Sequence, residues 1–117
     1  MHERRQQLEA LAFEGDRLVS AGADGVRVWD PASGALVARG EGGEGLLRLA
    51  VAPGGRVVAS AGLDRTIRLH SVASGALVVA LAWHEAGVWG LAWADSMLLS
   101  GDAAGRVALW DLGQWIK

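Results

Sequence analysis

Serine, histidine and aspartate are the groups of base-activated nucleophilic catalysis, and this chain sets them beside tryptophan. Ser20, Asp24 and Trp29 make one group, and Ser100, His84 and Trp110 make another. In catalysis, a histidine base activates the serine hydroxyl while a carboxylate orients the imidazole. The same side chains can also serve as a buried hydrogen-bonded fastening. Ser20, Ser60 and Ser100 follow one another at intervals of forty residues. One active site has no use for three copies of its nucleophile, so the serines are read as structural and no catalytic residue is expected.

Two other chemistries are weaker. His2, His70 and His84 are the only histidines, and none stands at a metal-ligand spacing such as His-x-x-x-His. His70 is most simply a replacement for tryptophan in the core or at a strand end. The Gly-rich run "RGEGGEGLL" (Arg39 to Leu47) could be mistaken for a phosphate loop. It lacks the Lys-Ser/Thr ending, and Glu41 and Glu44 would repel phosphate. It reads instead as a loop between units. No metal, cofactor-binding residue or cofactor is expected.

The elements that position these residues come from a repeat of about forty residues. "LVSAGADGVRVWD" (Leu18 to Asp30), "VASAGLDRTIRLHS" (Val58 to Ser71) and "LLSGDAAGRVALWD" (Leu98 to Asp111) are three copies of one pattern. "PASGALVA" and "VASGALVV" follow the first two. Before the copies lie "LEALAF", "LLRLAV" and "VWGLAW". Each unit therefore reads as four short strands separated by Gly, Pro, Ser and Asp turns. The second and third strands are apolar almost throughout, as befits a sheet covered on both faces.

Length and charge bound the rest. The 117 residues suffice for one domain. The net charge is −2, and the arginines are spread along the chain. A phosphate-backbone partner is therefore not indicated, and no nucleic-acid role is expected. There is no cysteine, which removes disulfides and thiolate zinc sites. No apolar run reaches membrane-spanning length and no signal-like segment opens the chain, so a cytoplasmic protein without a membrane partner is expected.

In its repeats the chain resembles the WD-repeat β-propeller family, over almost its whole length, as three consecutive blades. The best match is "SAGLDRTIRLHS". The resemblance implies an all-β fold of three four-stranded antiparallel blades, at about 4–40, 41–82 and 83–117. It also implies a hydrogen-bonded tetrad in each blade: Trp of the third strand, Ser of the second, Asp of the intervening turn, and His before the first strand. No blade matches this in full. Blade one has Ser20, Asp24 and Trp29, with Arg4 where His is expected and His2 nearby. Blade two has Ser60 and Asp64, with His70 for Trp and Gly42 for His. Blade three has His84, Ser100 and Trp110, with Ala104 for Asp and Asp102 as a neighbouring substitute. Partial networks are therefore expected.

The resemblance also implies a bulge near the start of each first strand and a partner-binding top surface around it. Carried over, its positions are Gln7, Glu9 and Ala23; Gly45, Leu47 and Leu63; and Gly87, Trp89 and Ala103. Trp89, Leu47 and Leu63 would form an apolar cluster, with Trp89 as anchor. The alternative places Trp89 in the core between blades.

Three blades do not close a ring, since propellers have four to eight. They would leave two apolar faces uncovered. The terminal "GQWIK" is expected to be a truncated fourth strand, with Trp115 and Ile116 packed in the last blade. Two readings follow: a homo-oligomer, favoured as a dimer with six blades, or a fragment or architectural part of a larger propeller. The expected function is a non-enzymatic scaffold for protein or peptide binding. The competing class is a propeller hydrolase or lactonase, which needs acidic residues around a metal in the channel. The first strands are mostly apolar and small, with Glu9 and Arg48 as exceptions.

Overall fold

The computed structural model describes residues 8–14, 17–22, 25–40 and 46–115, with side chains from residue 17 onward except those of Leu46 and Leu47. Among the described residues all regular structure is β: β1 (Leu8–Glu14), β2 (Arg17–Gly22), β3 (Gly25–Asp30), β4 (Ala35–Arg39), β5 (Leu46–Val51), β6 (Val57–Gly62), β7 (Thr66–Ser71), β8 (Leu77–Ala82), β9 (Val88–Ala94), β10 (Met97–Asp102) and β11 (Val107–Asp111). They form three antiparallel sheets in chain order: β1-β2-β3-β4, β5-β6-β7-β8 and β9-β10-β11. Among the described residues the third sheet has three strands where the repeat leads to four. Residues 113–115 form a turn, not a strand. The Gly113 N–H donates to Asp111 Oδ1 and the Trp115 N–H to the Leu112 carbonyl. This turn occupies the place of those at Pro31–Gly34 and Val72–Gly75, which lead into β4 and β8. Trp115 does pack against the core, while Ile116 lies outside the described residues.

Register repeats with the sequence. Leu18 faces Trp29, Val58 faces His70, and Leu98 faces Trp110 across the second and third strands. Because side chains alternate along a strand, each sheet has two distinct faces. One carries the repeated serine and the Trp or His. The other carries Val19 and Val28 in blade one, Ala59 and Leu69 in blade two, and Leu99 and Leu109 in blade three.

The core lies between the blades. Val19, Ala21, Val26 and Val28 of blade one pack with Val58 and Val72 of blade two. Ala59, Ala61, Ile67 and Leu69 of blade two pack with Val88, Leu98 and Leu112 of blade three. Each serine-bearing face thus covers the aliphatic face of the blade before it. Blade two is covered on both sides, and all six residues of β6 are buried. In β10, the aliphatic-face residue Leu99 is exposed while Leu98, Ser100 and Asp102 are buried, because only one face is covered. The Trp93 indole N–H donates to the Ala50 carbonyl at 3.0 Å and joins the first strands of blades two and three.

Candidate functional site

Two constellations arise from this frame, one buried and one exposed. The buried one is in blade three. His84 precedes β9, Ser100 and Asp102 lie on β10, and Trp110 lies on β11. The Trp110 indole N–H donates to Ser100 Oγ at 2.9 Å. His84 Nε2 is 2.7 Å from that oxygen, and His84 Nδ1 is 2.7 Å from Asp102 Oδ2. A carboxylate only accepts, so the proton on Nδ1 points to Asp102 and Nε2 accepts the Ser100 hydroxyl. The other carboxylate oxygen accepts the backbone N–H groups of Ala104 at 3.0 Å and Arg106 at 2.9 Å. The His84 hydrogen bond holds the Asp102 carboxyl down, from its ordinary 3.8 to about 2. Burial opposes this, while the Arg106 and Ala104 N–H groups and the Arg106 guanidinium reinforce it.

Asp102 therefore stands where the turn aspartate was expected, although it starts two residues earlier, at the repeat position of Gly22 and Gly62. The blade-three network has all four members. Its distances are those a catalytic serine relay would show. But Ser100 and His84 are both buried, and the serine oxygen already accepts the Trp110 N–H.

The other blades hold less of the network. In blade one the Trp29 indole N–H donates to Ser20 Oγ at 2.9 Å, while Asp24, like Arg4 and His2, lies outside the described residues. In blade two, Asp64 accepts the Thr66 N–H at 3.3 Å and pairs with the Arg68 guanidinium inside its own hairpin. Ser60 is fully buried, and its hydroxyl has no hydrogen-bond partner among the described residues. His70 fills the tryptophan position, fully buried against Gly40; a β-carbon there would meet the imidazole at 3.0 Å.

The exposed constellation gathers around the first-strand bulges. Each first strand shifts register once against its neighbour, and the residue passed over is Glu9 in β1, Leu47 in β5 and Trp89 in β9. An unpaired bulge residue is re-aimed away from the ladder. Trp89 is 46 % exposed and Leu63 is 59 % exposed. The Arg48 guanidinium stands 5.8 Å from the Trp89 ring centroid, within reach of a cation–π contact. A β-carbon at Gly87 would touch Leu63 at 3.4 Å, so blade three's entry segment lies against Leu63. The side chains of Glu9 and Leu47, and all of Gln7, lie outside the described residues. Arg48 was set aside as a polar exception in the channel strands; an arginine one position past a bulge was the signal that would have placed it here.

A second aromatic contact is structural in form. The Arg106 guanidinium lies 4.4 Å from the Trp83 ring centroid and donates to the Trp83 carbonyl at 3.2 Å. It ties the β10–β11 hairpin to the segment entering blade three. Among the described residues no three His, Asp or Glu side chains gather as a metal site, and no helix is long and apolar enough to cross a membrane.

The family model described as "WD domain, G-beta repeat" matches residues 36–71. No curated protein matches the chain. Among solved structures, the computationally designed Ika4 protein is 29% identical, with 92% of this chain and 67% of that chain covered and a TM-score of 0.83. For the computationally designed Ika8 protein the values are 28%, 95%, 35% and 0.82. For the RRP9 WD40 repeats they are 19%, 97%, 38% and 0.85. The chain thus spans about two thirds of Ika4 and little more than a third of the other two. Residues 36–71, from β4 to β7, thus match one WD repeat, and the chain as a whole has the β-propeller blade fold of these structures.

Proposed function

We propose that the chain is a non-enzymatic scaffold that binds a protein or peptide at a surface centred on Trp89. The observation that carries this is a half-exposed tryptophan in a strand bulge, with exposed Leu63 nearby and Arg48 against its ring. Large aromatic and arginine side chains dominate interface energetics, and a bulge held by a rigid blade loses little entropy on binding. Leu47, Glu9 and Gln7 complete the surface in this reading. Ser20 with Trp29, and His84, Ser100 and Trp110 with Asp102, serve to fasten their blades; Asp24 is assigned the same role, while Ser60 and Asp64 hold the equivalent positions of blade two without joining one network. Peptides selected from a displayed library on the wild-type chain test the proposal. Trp89→Ala should weaken them by about tenfold or more, with an unchanged far-UV circular dichroism spectrum. Unchanged binding would sink the reading, and loss of the fold would assign Trp89 to the core. A stoichiometric cation in the purified protein would favour the propeller-enzyme alternative instead.

The surface is complete only on a closed ring. In our reading further copies of this chain supply the missing blades, two copies giving six. A second reading, in which a longer chain supplies them, draws on the greater length of the similar structures. Light scattering on the purified chain separates the two.

A further inference from the structure

The faces left open at the two ends of the blade array are not equivalent, and the repeat identifies what each one fits. At one end, Leu99, Val107 and Leu109 of blade three are 45, 62 and 63 % exposed. Their counterparts in blade two are Ala59, Ile67 and Leu69, and in blade one Val19, Val26 and Val28. All six are at most 1 % exposed, because the next blade covers them. What covers them is known in detail. Val58 and Val72 of blade two seal blade one, and Leu98 and Leu112 of blade three seal blade two.

At the other end, blade one carries the same sealing positions with nothing to seal. Leu18 corresponds to Val58 and Leu98, and Pro31 to Val72 and Leu112. The four counterparts are buried; Leu18 is half-buried and Pro31 is exposed. A third position agrees. A β-carbon at Gly75 would stand 2.7 Å from the Arg39 carbonyl of the preceding blade, whereas one at the matching Gly34 would have open space.

Resting on the reading that further copies complete the ring, we infer that the β10–β11 face of one copy, centred on Leu109, receives the Leu18 and Pro31 face of a second copy. The contact repeats the two blade junctions inside the chain and runs head to tail. A junction between unlike faces closes into a ring when its rotation divides a full turn, as the rotation between propeller blades does. It is distinct from a face-to-face pair in which two blade-three surfaces meet.

Light scattering on three chains and one mixture decides this. Wild type should have the mass of two or more chains. Leu109→Glu and Leu18→Glu should each fall to the single-chain 12.2 kDa, with folded circular dichroism spectra. An equimolar mixture of the two variants should have the mass of two chains and no more. It retains one intact junction, between the blade-one face of the first variant and the blade-three face of the second. If Leu18→Glu does not fold, Pro31→Arg, at an exposed turn, takes its place. A single-chain mass for wild type overturns both this inference and the self-assembly reading. An associated wild type with Leu18→Glu and Pro31→Arg still associated, or a mixture that stays at the single-chain mass, overturns only the head-to-tail junction.

Discussion

At the scale of single residues, one pattern has different outcomes in the three blades. In blade three every polar atom of the buried network has a partner, including the carboxylate of Asp102. In blade two the Ser60 hydroxyl is buried with none among the described residues, a state that costs about 1–3 kcal/mol. The difference follows from partners. Histidine precedes β9 but not β5, and Asp64 is drawn to Arg68 instead of inward. Asp102 supplies a pH test. Its carboxyl is lowered to about 2 in the folded chain from an ordinary 3.8. A lowered folded value means stability present above the unfolded value and lost as pH falls through the folded one. Wild type should therefore lose part of its stability between about pH 4 and pH 2. Asp102→Asn should be less stable than wild type at pH 5, and the gap should narrow over that window. Urea midpoints of both proteins from pH 2 to 5 measure it, and a constant gap would show that the carboxylate is not held by His84.

At the scale of elements, turns decide more than strands. Gly34 and Gly75 both close the turn before a fourth strand, with φ of 76° and 77°. An L-residue in this region costs about 1–2 kcal/mol. Gly34→Ala meets nothing within 4 Å and should lose only that amount. Gly75→Ala also drives a methyl group into the Arg39 backbone, so it should lose at least twice as much, read as urea midpoints. Equal losses would place the Val72–Gly75 turn clear of blade one. The strands themselves were legible in the sequence because their apolar runs, turn glycines and forty-residue period agree. The bulges at Glu9, Leu47 and Trp89 came from the resemblance, since no local composition marks them. The fourth strand expected at "GQWIK" was not found at residues 113–115. Asp111 and Gly113 rebuild the turn that precedes β4 and β8, and a turn residue pattern outweighs the apolar Trp115. In the buried network, Ala104 stands at the expected carboxylate position and the sequence offered Asp102 as its neighbouring substitute. Three-dimensional proximity adds the contact itself, with Asp102 on the strand 2.7 Å from the His84 imidazole.

For the whole molecule, stability and association are one question. Blade two buries both faces, while blades one and three each bury one. A chain that leaves Leu99, Val107 and Leu109 in water forgoes about 25 cal/mol for each Å² of apolar surface it could cover. When a second copy covers that face only in the folded state, mass action couples folding to protein concentration. The thermal midpoint of wild type should then rise by about 5 °C over a hundredfold increase in concentration. Leu109→Glu breaks the junction without touching either internal core, because the residue lies on the open face. Its midpoint should be lower and independent of concentration. Differential scanning calorimetry over that range reads both slopes. A flat wild-type midpoint would mean that the three blades hold their fold without a neighbour on the β10–β11 face. The stabilisation would then have to come from the two internal junctions, and Leu109→Glu would shift the midpoint little.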